Sequence, residues 1–112
     1  MITIWHNPRC SKSRQTLALV EEKGAVEVVK YLEAKLSESD ITAVRDLLGM
    51  KAIDMMRPKE PEFSALGLSK SDDDKTLISA MAKCPKLIER PIVIAGNKAA
   101  IGRPPEAVLE IL

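Results

Sequence analysis

Residues 2–31 read ITIWHNPRCSKSRQTLALVEEKGAVEVVKY. Ile2 to Trp5 is a β-rich run that ends at Asn7-Pro8, a dipeptide that turns the chain. From Ser11 to Lys23, Leu17, Val20 and their neighbours recur at helical spacing, and Gly24 sits where a C-cap glycine belongs. Val26 to Tyr31 reads as a second strand, with Val26, Val28 and Val29 supplying β-branched residues. Strand, helix and strand within about 30 residues make a βαβ unit with a right-handed crossover.

The middle of the chain is helical in pattern. Ser37 can cap a helix whose apolar positions are Ile41, Val44, Leu47 and Leu48, with Gly49 closing it. A short turn, Ala52 to Met56, stops before Pro58, and Pro61 opens another short helix that ends at Gly67. Asp72, Asp73 and Asp74 precede Leu77, Ile78 and Met81, which predicts a helix with acidic residues at its positive end and Pro85 at its close. The last third returns to strands. Ile92 to Ala95 and Lys98 to Ile101 flank Gly96-Asn97, a two-residue hairpin signal. A terminal helix is expected over Pro105 to Leu112, with Pro104 at its start. The order is β-α-β, a helical insert, then β-β-α. This predicts an α/β protein of thioredoxin-like fold: a single domain over residues 1–112, with a four-stranded mixed sheet and a helical subdomain inserted at about 34–86.

A chain of 112 residues is long enough for one self-supporting core. Seventeen basic against 16 acidic residues leave a net charge of +1, which argues against a broad nucleic-acid surface or a polybasic membrane patch. The aromatics are Trp5, Tyr31 and Phe63 only, too few for a base-stacking platform. No apolar run is long enough to span a bilayer, and MITIWHNPRC lacks the basic leader and long apolar core of a signal peptide. A cytoplasmic protein with reduced thiols is therefore expected, so Cys10 and Cys84 are not read as a structural disulfide. Two cysteines and one histidine are too few for a structural zinc site.

Chemistry concentrates in residues 7–14, Asn7-Pro8-Arg9-Cys10-Ser11-Lys12-Ser13-Arg14. Cys10 lies between a strand end and a helix start, where unpaired amides and the helix dipole favour negative charge. Arg9, Lys12 and Arg14 add cationic field, and Ser13 places a hydroxyl across the first turn. Together these favour a reactive thiolate over a buried filler, and the same geometry suits an oxyanion. The spacing excludes one rival: a Cys-x5-Arg phosphatase loop needs arginine at position 16, which is Thr16. Ser13 stands where a Cys-x-x-Cys dithiol would need its second cysteine, so a resolving thiol must come from elsewhere.

His6, the one histidine, either pairs with the Cys10 thiolate or merely caps the turn. Arg57, Arg90 and Arg103 each sit beside proline, on constrained backbone that can aim a side chain, though a solvated arginine is the ordinary alternative. Pro91, just before the third strand, is placed for the cis-proline that faces the active cysteine in thioredoxin-like sheets.

Four stretches resemble the glutaredoxin-coupled arsenate reductase family, in its branch of small bacterial proteins: HNPRCSKSR at 6–14, MMRPKEPEFSALGL at 55–68, LIERPIVI at 87–94 and GRPPEAVLEIL at 102–112. They cover almost the whole chain in the family's order. The resemblance implies a thioredoxin-like fold with a helical insert. It puts the nucleophile on Cys10, the histidine that assists it on His6, and three oxyanion-binding arginines on Arg57, Arg90 and Arg103, with Ser13 and Arg14 beside the oxyanion. It implies an oxidoreductase that reduces arsenate to arsenite, with glutathione as reductant and glutaredoxin as partner, no bound cofactor and no metal. Neither a nucleic acid nor a membrane is an expected partner, and a monomer is expected.

Two features depart from the family pattern. Ser11 and Lys12 follow the cysteine where a small, glycine-containing pair is usual, and Cys84 has no family counterpart. Cys84 reads as a helix-end filler beside Pro85, against a resolving role for Cys10. Two other readings share the fold: a glutathione-linked thiol oxidoreductase with another substrate, and a redox-linked regulator that binds RNA polymerase. Regulators of that kind commonly carry the Cys-x-x-Cys switch that Ser13 removes.

Overall fold

The computed structural model describes residues 1–112 and divides into two compact units. The first comprises Met1–Ala34 and Arg90–Leu112, and the second comprises Lys35–Glu89.

The first unit is built on a four-stranded mixed sheet. Its strands are β1 (Ile2–Trp5), β2 (Val26–Val29), β3 (Ile92–Ala95) and β4 (Lys98–Ile101), in the order β2-β1-β3-β4. β1 and β2 are parallel, Ile4 opposite Val28, and are joined by helix α1 (Ser11–Glu21). β3 runs antiparallel to both β1 and β4. The β3–β4 hairpin closes through two residues, Ala95 pairing with Lys98, and Gly96 takes the positive φ of 60° that such a loop requires. Ile4, Val20, Val93 and Val108 form the buried centre, flanked by Ile2, Leu17, Val26, Ala100 and Ile111. The alternation along β1 and β3 and the helical spacing on α1 thus converge on one core.

Local boundaries differ from the sequence reading in four places. α1 ends at Glu21 with Glu22 as its C-cap, so Gly24 is no cap; it turns the chain toward β2 with φ at 151°. β2 stops at Val29 because Lys30–Glu33 folds into a turn, the Glu33 N–H donating to the Lys30 carbonyl at 2.9 Å. The last element, Pro105–Ile111, is a 3₁₀ helix. Pro104 and Pro105 carry no amide donors, and the Ala107 N–H reaches only three residues back, to the Pro104 carbonyl at 3.0 Å. Ala52–Met55 is likewise a 3₁₀ turn, ending one residue earlier than expected.

The second unit carries α2 (Glu38–Leu48), α3 (Pro61–Ala65) and α4 (Asp74–Lys83) with two 3₁₀ turns, Ala52–Met55 and Pro85–Leu87. α2 begins with a reciprocal capping box between Ser37 and Asp40 and ends on Gly49 in the left-handed conformation, φ 67°. Asp73 caps α4, accepting the Thr76 N–H at 2.8 Å. The unit closes at Glu89 rather than near residue 86, because residues 87–89 pair back on residues 55–57. The Arg57 N–H donates to the Leu87 carbonyl, the Glu89 N–H donates to the Met55 carbonyl, and each bond is 2.8 Å long. No helix of either unit is long and apolar enough to cross a membrane.

Candidate active site

The Cys10 loop is shaped by its own short-range hydrogen bonds. The His6 N–H donates to the Val29 carbonyl at 2.8 Å and prolongs the β1–β2 ladder by one residue. The Asn7 side chain then accepts the Arg9 N–H at 3.0 Å, and the Asn7 carbonyl accepts the Cys10 N–H at 3.0 Å, which turns the chain. The Arg14 guanidinium ties back to the Pro8 carbonyl at 2.9 Å. Arg14 therefore staples the loop to α1 as well as adding charge to it.

Cys10 is the N-cap of α1, with extended backbone (φ −95°, ψ 123°). Its side chain forms no cap hydrogen bond of ordinary geometry, and the thiol is partly exposed. Burial pushes the thiol pKa up, but the Ser13 amide, the Arg90 guanidinium and the Lys12 amide acting on the sulfur outweigh it, and the net shift is downward. Arg103 approaches the same sulfur, with Nη2 at 3.6 Å from Sγ, while its Nε donates to the Arg90 carbonyl at 2.8 Å. Thiolate, helix start and two guanidinium groups therefore meet at one point of the first unit, which is the arrangement that stabilises a nucleophilic sulfur and welcomes an oxyanion.

The Arg90–Pro91 bond is cis, as expected of a proline before β3, and Arg103–Pro104 is cis too. Sequence reading missed the piece that seats Arg103. Gly102 is buried, and its N–H donates to the Pro91 carbonyl at 2.9 Å. A Cβ there would lie 2.6 Å from Thr16 Oγ1 and 2.7 Å from Pro91 Cγ. Thr16 is itself fixed, its hydroxyl donating to the Lys12 carbonyl at 2.8 Å. Only the glycine of Gly-Arg-Pro hinted at such a close approach.

His6 and Ser13 have partners other than those the spacing suggested. His6 is 5% exposed, and its Nδ1 lies 2.7 Å from Ser13 Oγ. Ser13 is fully buried, and its hydroxyl also accepts the Asn7 N–H at 3.0 Å. Burial lowers the His6 pKa, and the charges of Lys30 and Arg14 lower it further against a small opposing effect of Glu21, so the ring is neutral at neutral pH.

Arg57 belongs to the helical unit. Its Nε donates to Glu60 at 3.1 Å and its Nη1 to Glu89 at 2.8 Å, so two carboxylates hold the guanidinium. The Arg-x-x-Glu spacing could have pointed to Glu60, whereas Glu89 is 32 residues away and had no local signal. Cys84 is a free thiol at the C-terminus of α4. No three His, Cys, Asp or Glu side chains cluster as a metal site.

The model of the ArsC family matches residues 5–111. The chain is 46% identical to an arsenate reductase of Haemophilus influenzae, covering 99% of this chain and 98% of that protein. It is 50% identical to Escherichia coli YfgD, an uncharacterized protein, over 99% and 96% of the two chains. The structure of arsenate reductase from Vibrio cholerae superimposes with a TM-score of 0.94 at 48% identity, covering 99% of this chain and 97% of that one. With a family model spanning nearly every residue and full-length relatives near half identity, the chain belongs to the ArsC family.

Proposed function

We propose that this protein is an arsenate reductase in which the Cys10 thiolate is the single nucleophile and Arg90 and Arg103 bind the oxyanion. What supports this reading above all is the Cys10 sulfur at the start of α1, its pKa lowered against burial by the Ser13 amide, Arg90 and the Lys12 amide, with Arg103 Nη2 at 3.6 Å. Both guanidinium groups carry charge where an arsenate oxygen would develop it. The relatives named arsenate reductase add weight, since they match this chain from end to end.

The thiolate attacks arsenic, and one arsenate oxygen takes up protons and leaves as water, which gives a Cys10–S–As(V) adduct. Glutathione displaces a second oxygen, again as water. A glutaredoxin thiolate then attacks the glutathione sulfur. As that S–S bond forms, the S–As pair stays on arsenic, and As(V) becomes As(III). Water hydrolyses the remaining Cys10–S–As(III) bond, releasing arsenite and restoring the thiolate. No bound cofactor enters, and glutathione is consumed as reductant. The same reading takes the protein as a cytoplasmic monomer, where glutathione is abundant.

Purified protein given arsenate, glutathione, glutaredoxin and an NADPH-coupled recycling system is expected to oxidise NADPH in an arsenate-dependent manner. Cys10→Ser is expected to abolish it. Absence of turnover at saturating arsenate rejects the proposal, and turnover that persists without glutaredoxin rejects its reductant assignment.

A further inference from the structure

Arg90 and Arg103 both act on the Cys10 sulfur, and Arg14 is tied back to the Pro8 carbonyl. Two cations of the same loop remain without a task in the reaction. Arg9 and Lys12 are exposed, enter no ion pair, and stand one residue before and two after the nucleophile. The loop fixes both backbones. The Arg9 N–H donates to Asn7 Oδ1 at 3.0 Å, and the Lys12 amide is one of the two that act on the sulfur. Residues 1–20 hold no Asp or Glu, and the first carboxylates, Glu21 and Glu22, stand at the far end of the 11-residue α1, about 15 Å along its axis. In a chain with 16 acidic residues this is a segregated patch of positive charge around a partly exposed thiol. Cations left uncompensated at a surface attract an anionic ligand.

In the reaction above, glutathione must bring its thiol to an arsenic already bonded to Cys10. The tripeptide carries two carboxylates and one ammonium group. With Arg90 and Arg103 engaged by the oxyanion, the cations left for those carboxylates are Arg9 and Lys12. We propose that Arg9 and Lys12 recognise the reductant: they bind the carboxylates of glutathione and so select an anionic thiol over a neutral one. This role rests on the reading of Cys10 as a nucleophile reduced through glutathione.

The test needs no arsenate. Glutathione disulfide carries the same tripeptide, and its exchange with the protein balances. The Cys10 thiolate attacks one sulfur, the S–S bond breaks, and a glutathione thiolate leaves with the electron pair, so that Cys10 ends in a mixed disulfide. Bis(2-hydroxyethyl) disulfide undergoes the same exchange without charge. Both rates at Cys10 are read by intact-protein mass spectrometry in a Cys84→Ser background at low ionic strength. Their ratio is the readout, because a change in the sulfur itself slows both disulfides, whereas lost carboxylate recognition slows the charged one only. Arg9→Gln and Lys12→Gln are each expected to lower the ratio roughly three-fold, and the double variant about ten-fold. Lys12→Arg, which keeps the charge, is expected to keep the ratio. Potassium chloride at about 0.5 M is expected to bring the wild type down to the double variant. A ratio unmoved in the double variant overturns the proposal, and so does a wild-type ratio indifferent to salt. A Cys10 that exchanges with neither disulfide overturns the nucleophile reading and this role together, whereas an unmoved ratio beside arsenate-dependent turnover overturns this role alone.

Discussion

Replacing Gly102 by alanine tests whether the seat beneath Arg103 is as tight as its distances say. The residue lies outside the left-handed region, so its backbone suits any amino acid and space alone forbids a side chain. The added methyl would meet Thr16 Oγ1 at 2.6 Å, Pro91 Cγ at 2.7 Å and Thr16 Cγ2 at 3.1 Å. Comfortable contacts begin near 3.5 Å, so the chain must yield by roughly 0.8 Å on two sides. Neither wall is the loose end of a long side chain. Thr16 is β-branched, buried and bonded to Lys12, and Pro91 is a ring held to Gly102 itself by a 2.9 Å bond. Overpacking of this kind costs about 2 kcal/mol, which for a chain of this length lowers Tm by about 8 °C. The displacement passes directly to Arg103, the next residue, whose Nη2 stands over the sulfur. We expect thermal denaturation followed by circular dichroism to show the lower Tm, and arsenate KM to rise ten-fold or more, because misplacement of a charged clamp by a fraction of an ångström is costly. Adding Thr16→Ala removes two of the three contacts and should recover at least half of the lost Tm. A Gly102→Ala protein that melts and turns over like the wild type would refute the reasoning, and so would a Thr16→Ala partner change that brings no relief.

Other expectations follow from the same unit. Because the fold holds His6 below its ordinary value of 6.5, the unfolded chain binds a proton there that the native chain does not, so stability should fall as pH drops below 6.5. Urea denaturation at pH 5 and pH 7 measures this, and the difference should shrink in His6→Asn, which cannot titrate. Arg103→Lys keeps the charge but loses the planar fork that bonds Arg90 and the sulfur at once; arsenate KM should rise about ten-fold with little change in Tm.

Much of this site was legible from neighbours in sequence. The Asn7-Pro8 turn, the switch from period two to helical period after Cys10, and the cations around it put a thiol at a helix start by local signals alone. The Gly96-Asn97 pair set the hairpin register in the same way, through a backbone preference carried by two residues. Glu22 rather than Gly24 caps α1, and the terminal element is a 3₁₀ helix whose Ala107 N–H donates to the Pro104 carbonyl.

Partners were another matter. His6 is seven residues from Ser13, and nothing in that spacing distinguishes a ring turned toward Oγ from one turned toward the sulfur. Arg103 reaches Cys10 across 93 residues, and it does so because the β3–β4 hairpin lies on β1 in a register that carries Gly102 onto Thr16 and Pro91. Backbone preferences and hydrophobic period act between near neighbours, so the order of elements and the place of Cys10 at a helix start follow from the amino acids alone. Which guanidinium faces the sulfur, and which hydroxyl holds the histidine, depends on strand pairing and close packing between distant segments, and these exist only once the chain has folded.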